Sequence, residues 1–259
     1  MDGLMNKNNI FSAVVLAKND EKIIGRCIEK LKQITDDIII ILDDRSADNT
    51  EVIAIESGAR VFKKAWEGYS INKNFGIQQA INDWILCPDS DEILDDKLIE
   101  SINTLKPEQD TAYEMNIMTY LGDYAVKHCG WFPDWNIRLF NKNTMQWNNS
   151  GVHEKLTSEN QVKRKRLQGL IHHYSFTDEA HMQSKYEYYA KLRAEEWISK
   201  RVKPPFIKRL VGPEFRFFRT YILKAGILDG KPGWTIAKNE YILKKKELFY
   251  WREILQNIK

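Results

Sequence analysis

The sequence is poor in the residues that would mark several protein classes. It has three cysteines in 259 residues, Cys27, Cys87 and Cys129. Three is odd, and no CxxC or CxxH spacing occurs, so neither a disulfide framework nor a zinc ribbon is expected. The thiols read as buried and reduced. Thirteen glycines and seven prolines leave no low-complexity linker. The longest apolar runs, Ile38 to Leu42 and the stretch around Ala13 to Ala17, fall far below the ~20 residues that span a bilayer. MDGLMNKNNI carries no charged-then-apolar leader pattern, so the expected location is cytoplasmic. No G-x-G-x-x-G follows the first apolar run and no G-x-x-x-x-G-K-[ST] occurs. The first absence argues against a dinucleotide-binding dehydrogenase, and the second excludes a P-loop NTPase.

What remains is globular: 43% hydrophobic, 12% aromatic and 29% charged residues, enough to bury a core without staples. The net charge of +3 conceals an asymmetry. Residues 1–200 hold 25 Lys and Arg against 31 Asp and Glu, a balance of −6; residues 201–259 hold 14 against 5, a balance of +9. The basic part is also rich in Phe, Tyr and Trp. That combination points to an anionic surface, either membrane or nucleic acid, or to a solvated helical face. Phe215, Phe218, Ile222 and Ala225 fall at helical spacing with Arg216 and Arg219 beside them. Such a stripe suits a membrane interface, or packing against the rest of the chain.

Apolar runs at 11–17, 38–42 and 84–87 predict buried strands, with a shorter strand at 60–62. Helical spacing predicts helices over 20–33, with Asp20 as N-cap, and over about 46–57, 69–82 and 95–105. This alternation predicts an α/β layer around a parallel sheet. Ligands in such sheets sit beyond the carboxyl ends of the strands. Three strands here end in polar loops: Lys18-Asn19, Asp43-Asp44 and Asp89-Ser90-Asp91. Further strands are expected over 113–120, 135–140 and 168–174, then helices over 178–201, 205–224 in pieces, and 234–256. The expected domains are 1–180 and a helical extension, 181–259.

Asp89 and Asp91, two residues apart after a strand, can converge on one site if the strand gives way to a turn. Converging carboxylates need a cation or a proton between them. Mg²⁺ or Mn²⁺ accepts such oxygens and bridges to a diphosphate. The structural alternative is an N-cap cluster for the helix at 95–105. Asp43 can accept hydrogen bonds from a ribose or a base. His172 and His173 are adjacent in a predicted strand, so only one of them can face a site.

In order along the chain, Phe11–Ala17 with Lys-Asn-Asp-Glu, Ile-Leu-Asp-Asp-Arg-Ser-Ala-Asp-Asn-Thr, Ala65-Trp-Glu-Gly-Tyr69, Lys73-Asn74, Asp83-Trp-Ile-Leu86 and Asp89-Ser-Asp-Glu92 resemble glycosyltransferase family 2. Arg138-Leu-Phe140, Val152-His-Glu154, His173-Tyr174 and Leu223-Lys-Ala-Gly-Ile-Leu-Asp-Gly230 are similar to its lipopolysaccharide-core branch, the beta-1,4-glucosyltransferase-like group. The resemblance implies a GT-A fold, the Rossmann-like nucleotide-diphospho-sugar transferase fold, with a C-terminal helical extension. It implies inverting transfer of a hexose from a nucleotide-sugar, a UDP-sugar being expected, to a saccharide or glycolipid acceptor.

By the same resemblance Ala17, Asn19, Asp43, Lys73 and Asp89 bind the donor, and Asp91 and His173 hold a divalent metal, Mn²⁺ or Mg²⁺. Glu154 is the expected base for the acceptor hydroxyl and Asp134 its rival. Trp131 and Trp135, around Asp134, are candidates for stacking on the acceptor sugar, or for core packing. Two departures from the family pattern stand out: Asp44-Arg45 replaces a small Ser-Gly pair, and Ser90 replaces alanine. Ser90 is expected to be harmless, whereas Arg45 is expected to reshape the donor pocket or to pair with a phosphate. The basic tail is expected to hold the enzyme on the anionic inner face of the cytoplasmic membrane, and no nucleic-acid partner is expected. A nucleotidyltransferase and a non-catalytic nucleotide-sugar or nucleic-acid binding protein are the alternatives. The first lacks its Gly-rich basic loop here, and the ordered acids count against the second.

Overall fold

In the computed structural model, residues 10–148 and 155–257 are described. They divide into two compact units, Met1–Ile117 with Asp134–His173, and Met118–Pro133 with Tyr174–Lys259.

The first unit is built on β1 (Phe11–Ala17), β2 (Ile38–Asp43), β3 (Arg60–Lys64) and β4 (Trp84–Leu86). β1 pairs in parallel with β2 and β4, and β2 pairs in parallel with β3. β1 and β2 are buried almost throughout, which is why they read as nearly continuous apolar runs instead of alternating patterns. The later strands are β5 (Glu92–Leu94), β6 (Thr111–Leu121), β7 (Tyr124–Ala125), β8 (Asp134–Asn141), β9 (Gln146–Trp147), β10 (Leu156–Thr157) and β11 (Lys163–Phe176). The main sheet runs β3-β2-β1-β4-β8-β6-β11-β5, with β7 beside β6, and β9 and β10 form a separate ribbon. β8 is antiparallel to β4 and β6, and β5 to β11. The sheet is thus the mixed α/β arrangement expected.

Four helices connect these strands: α1 (Ile24–Leu31), α2 (Thr50–Glu56), α3 (Tyr69–Gln78) and α4 (Asp96–Asn103). α1 buries Ile24, Cys27, Ile28 and Leu31, the stripe read from the sequence. It starts later than expected, and Asp20 is not its N-cap. The Asp20 carboxylate instead accepts from the backbone N–H of Lys18 at 2.9 Å, and its carbonyl accepts from Ile23 and Ile24. α3 lies close on the sheet because residue 76 is glycine: a Cβ there would stand 2.5 Å from Val14 Cγ1. Asp95 caps α4, accepting from Leu98 N–H at 2.7 Å. The cap role offered as an alternative for Asp89 and Asp91 is therefore already filled.

The second unit packs α5 (Glu179–Ser199), α6 (Phe206–Leu210), α7 (Gly212–Phe218), a π turn (Arg219–Leu223), a 3-10 turn (Gly226–Asp229) and α8 (Gly230–Asn257). Its core includes Val126, Met182, Tyr186, Ala190, Ile236 and Leu243. Asp229, buried, accepts from the backbone N–H of His128 at 2.9 Å and from Tyr124 Oη at 3.1 Å. The 3-10 turn touches α8 so closely that a Cβ at Gly233 would meet the Gly226 carbonyl oxygen at 1.8 Å. These contacts give the Leu223–Gly230 segment a packing role. Among the described residues no helix is long and apolar enough to cross a membrane.

Candidate active site

The parallel strands deliver three loops to one edge of the sheet. The loops after β1 and β2 are stitched together. Asn19, at φ 54°, accepts through its side-chain oxygen from Ala47 N–H at 2.8 Å, and its own N–H donates to Ser46 Oγ at 3.0 Å. Asp20 N–H donates to Thr50 Oγ1 at 2.7 Å, and Glu21 N–H to Asp48 Oδ2 at 3.0 Å. Burial pushes the Asp20 carboxyl above the usual range.

Asp43, at the end of β2, is almost fully enclosed. Arg45 closes on it with Nε at 2.9 Å, Nη2 at 2.6 Å and the backbone N–H at 3.0 Å, and Lys18 Nζ stands 3.2 Å away. The Arg45 hydrogen bonds hold the Asp43 carboxyl well below its usual range. The departure at Arg45 thus has a local explanation: the side chain binds back onto the acid two residues before it. Asp43 meets a ligand only alongside this cation.

The densest charge lies beyond β4. Glu92, fully buried at the start of β5, accepts a two-point contact from Arg138, with Nε at 2.8 Å and Nη2 at 2.6 Å. The same Nη2 reaches Asp89 Oδ2 at 3.1 Å. Lys73, buried on α3, places Nζ 3.3 Å from Asp89 Oδ1 and 4.5 Å from the centre of the Trp147 ring. Burial alone would raise the Asp89 carboxyl, but Arg138 and Lys73 outweigh it and hold it well below the usual range. β8 runs antiparallel to β4, and Cys87 N–H donates to the Arg138 carbonyl at 2.8 Å. This pairing carries Arg138 to the acidic loop and puts the start of β8, with Asp134, at the same edge. Asp134 is exposed, and its N–H donates to Asn116 Oδ1 at 3.0 Å.

Asp91 Oδ1 and His173 Nε2 are 3.3 Å apart, both half-buried. Pairing of β11 with β5 sets His173 opposite Glu92 and so beside this loop. Burial lowers the imidazole pKa, but the hydrogen bond and charge of Asp91 more than offset it, and the net shift is upward. His172 differs: burial moves it downward. A carboxylate oxygen and an imidazole nitrogen side by side suit Mn²⁺ better than Mg²⁺. Asp89 is already neutralised by two cations. Among the described residues no group of three or more His, Cys, Asp or Glu forms a metal cluster. Asp91 and His173 are the side chains here that would offer a divalent metal a carboxylate oxygen and an imidazole nitrogen.

Of the donor residues expected from sequence, Lys73 and Asp89 are in direct contact, Asp43 stands with Arg45 and Lys18, and Ala17 ends β1 beside Asn19. Glu154, with Val152 and His153, lies outside the described residues. Trp135 stacks under Arg166, 4.5 Å from its ring centre. Trp131 packs on Phe176 at 5.6 Å in the second unit. Sequence reasoning gave no role to Arg138 or Glu92. The signal was present, because an arginine inside an apolar strand needs a buried acid as partner. A cavity of about 690 Å³ between α3 and the β8–β9 turn includes Lys64, Asn74, Phe75, Lys142 and Met145 in its lining. None of the carboxylates above lines it.

The model of glycosyl transferase family 2 matches residues 12–170, more than half of the chain. The chain belongs to glycosyl transferase family 2. It is similar to an uncharacterized glycosyltransferase of Rickettsia typhi, 31% identical over 201 residues, 72% of this chain and 68% of the relative. It is also similar to the lipopolysaccharide core biosynthesis glycosyltransferase LpsC of Rhizobium meliloti, 28% identical over 218 residues, 81% of this chain and 80% of LpsC. Among solved structures, S. aureus TarS 1-349 in complex with UDP-GlcNAc matches at 13% identity and a TM-score of 0.41, covering 96% of this chain and 91% of that one. Membership of family 2 makes the protein a glycosyltransferase of the GT-A α/β fold and sets aside the two alternatives weighed from the sequence. Family 2 enzymes generally use a divalent metal.

Proposed function

We propose that this glycosyltransferase moves a hexose, with inversion, from a UDP-sugar to a saccharide or glycolipid acceptor in lipopolysaccharide-core or other cell-envelope glycan synthesis. The observation that carries the reading is the concentration of acids and balancing cations at the strand ends. Asp43 with Arg45 and Lys18 lies at one strand end, and Asp89, Asp91, Glu92, Lys73, Arg138 and His173 gather near the next. The similarity to LpsC supports the acceptor class.

In this reading Asn19, Asp43 and Arg45 meet the nucleoside, and Lys73 lies toward the diphosphate. Asp91 and His173 hold the metal, whose chemistry when bound is neutralisation of charge on the leaving diphosphate. A carboxylate, Glu154 or Asp134, takes the proton from the acceptor hydroxyl as its oxygen forms the bond to the anomeric carbon. The bond from that carbon to the diphosphate oxygen breaks, and UDP departs with the electron pair, so no general acid is needed. Trp135 would offer a face to the acceptor sugar. The enzyme works peripherally at the anionic inner face of the cytoplasmic membrane, where such acceptors are made.

The test is incubation with a panel of UDP-hexoses, with and without Mn²⁺, monitoring UDP release and transfer to lipid-extract acceptors. UDP release that rises with Mn²⁺ and with acceptor is expected. Release from no nucleotide-sugar under any of these conditions would refute the reading.

A further inference from the structure

The second unit leaves an unusual amount of apolar side chain in solvent. Phe206, Ile207 and Leu210 on α6, and Leu223, Ile227 and Leu228 on the turns after α7, are between 52 and 71% exposed. Single exposed apolar residues are ordinary; a concentration within residues 206–228 is not. Phe215, Phe218 and Ile222, the bulky members of the stripe read from the sequence, are about half exposed. They do not serve as a packed core face. The stripe also ends before Ala225, which takes φ 52° and breaks the helix.

The turn geometry fixes part of this exposure. In the 3-10 turn, Gly226 and Asp229 are buried, three residues apart and on one side. Ile227 and Leu228, between them, face outward. Asp229 is held by Tyr124 and His128, and the Gly226–Gly233 contact pins the turn to α8. Burying Ile227 and Leu228 would break both anchors. On α6, Arg209 lies 5.6 Å from the ring centres of both Phe206 and Trp251, tying the helix to α8.

Charge identifies the occupant. Residues 201–231 hold eight Lys and Arg against two acids, Glu214 and Asp229, and Asp229 is buried. Arg201, Lys203, Arg219 and Lys231 are exposed. Outward aliphatic and aromatic groups flanked by cations match an interface between acyl chains and anionic headgroups.

We propose that α6 and the turns of residues 219–229 form a bilayer-insertion face, taking anionic lipid membrane as its partner. The proposal rests on the peripheral-membrane reading above and goes beyond it: apolar side chains enter the interface, and charge adsorption alone does not account for binding.

The test is flotation of the full chain with vesicles of phosphatidylcholine alone or with about one-third phosphatidylglycerol, at low salt and at 1 M NaCl. The wild type is expected to float with the anionic vesicles and to stay partly bound in 1 M NaCl, where surface charges are screened within about 3 Å. Phe206→Ser/Ile207→Ser/Leu228→Ser should lower partition more than about tenfold and abolish the salt-resistant fraction. Ile207→Ser alone gives the same direction should the triple variant not fold. Arg219→Glu/Lys231→Glu should lower partition to anionic vesicles by at least about twentyfold, at about 1 kcal/mol per cation. Full release by salt, with the apolar variants unchanged, would overturn insertion and leave peripheral adsorption standing. No flotation of the wild type with either vesicle would overturn both. A concentration-dependent dimer abolished by Ile207→Ser, without flotation, would assign the face to a second copy and overturn the proposal.

Discussion

Replacing Arg138 by methionine should be among the most damaging single changes in the first unit. Arg138 is mostly buried and supplies two hydrogen bonds to Glu92 and one to Asp89. Burial works against its charge, but Glu92 and Asp89 more than offset that and raise its pKa further. Methionine fills a similar volume, so the cost is electrical. Glu92 would keep only the Asp89 N–H, at 3.0 Å, of the bonds described here. Breaking a buried pair from one side costs about 3–5 kcal/mol. We expect about 3 kcal/mol at pH 8, because Glu92 can escape part of the cost by taking a proton. At a urea slope of about 2 kcal/mol per M, the midpoint should fall by about 1.5 M. Unpaired burial raises the Glu92 pKa in the folded variant above its unfolded value. Folding then takes up a proton, so the variant recovers stability as pH falls through that raised pKa, and its deficit at pH 5 should be smaller than at pH 8. Glu92→Gln/Arg138→Met removes the stranded charge and should restore more than half of the loss. A midpoint shift under about 0.3 M, or a double variant no more stable than Arg138→Met, would refute the reasoning.

Arg45→Ala releases Asp43 from its principal partner, so UDP affinity should change by about tenfold while the urea midpoint barely moves, because exposed ion pairs add little to stability; isothermal titration measures the first, and an unchanged affinity would remove Arg45 from the donor pocket. Glu154→Gln should lower transfer by about 10²–10⁴-fold with UDP binding intact; if Asp134→Asn shows that loss and Glu154→Gln does not, Asp134 is the base. Asp20→Asn should favour the folded state at acid pH less than wild-type Asp20 does. The raised folded pKa of Asp20 makes folding proton-coupled, so wild-type stability relative to the Asn variant should rise as pH drops from 7 to 4. A difference that is flat over that range contradicts the burial account.

The parallel core was legible because β1 and β2 are nearly continuous apolar runs, the pattern of strands covered on both faces. The loops at their ends were legible for the same reason: Asn19, Asp43 and Asp89 stand where the apolar runs stop. Three-residue β5 was not legible. It follows the acidic loop directly and exists through its pairing with β11, a contact more than 70 residues away in sequence. That pairing also brings His173 to Asp91, a proximity no spacing rule contains. The resemblance to family 2 marked Arg138 without showing its partner, since the two-point contact with Glu92 depends on β8 returning antiparallel to β4. Asp20 is not a cap because capping preference is local, while its carboxylate bonds backward to Lys18 and its N–H donates across to Thr50.

On the proposed function the strand-end acids form the donor site, with Asp91 as a metal donor. That reading is tested most directly by titrating UDP into the wild type and into Asp91→Asn, each in Mn²⁺ and in excess chelator, with transfer from a UDP-hexose measured on the same samples. Wild-type affinity and transfer should both fall sharply when metal is removed. Asp91→Asn should bind UDP weakly and equally with and without Mn²⁺, with nearly all transfer lost and the urea midpoint retained. Full transfer by Asp91→Asn, or wild-type activity undiminished in excess chelator, would contradict that reading.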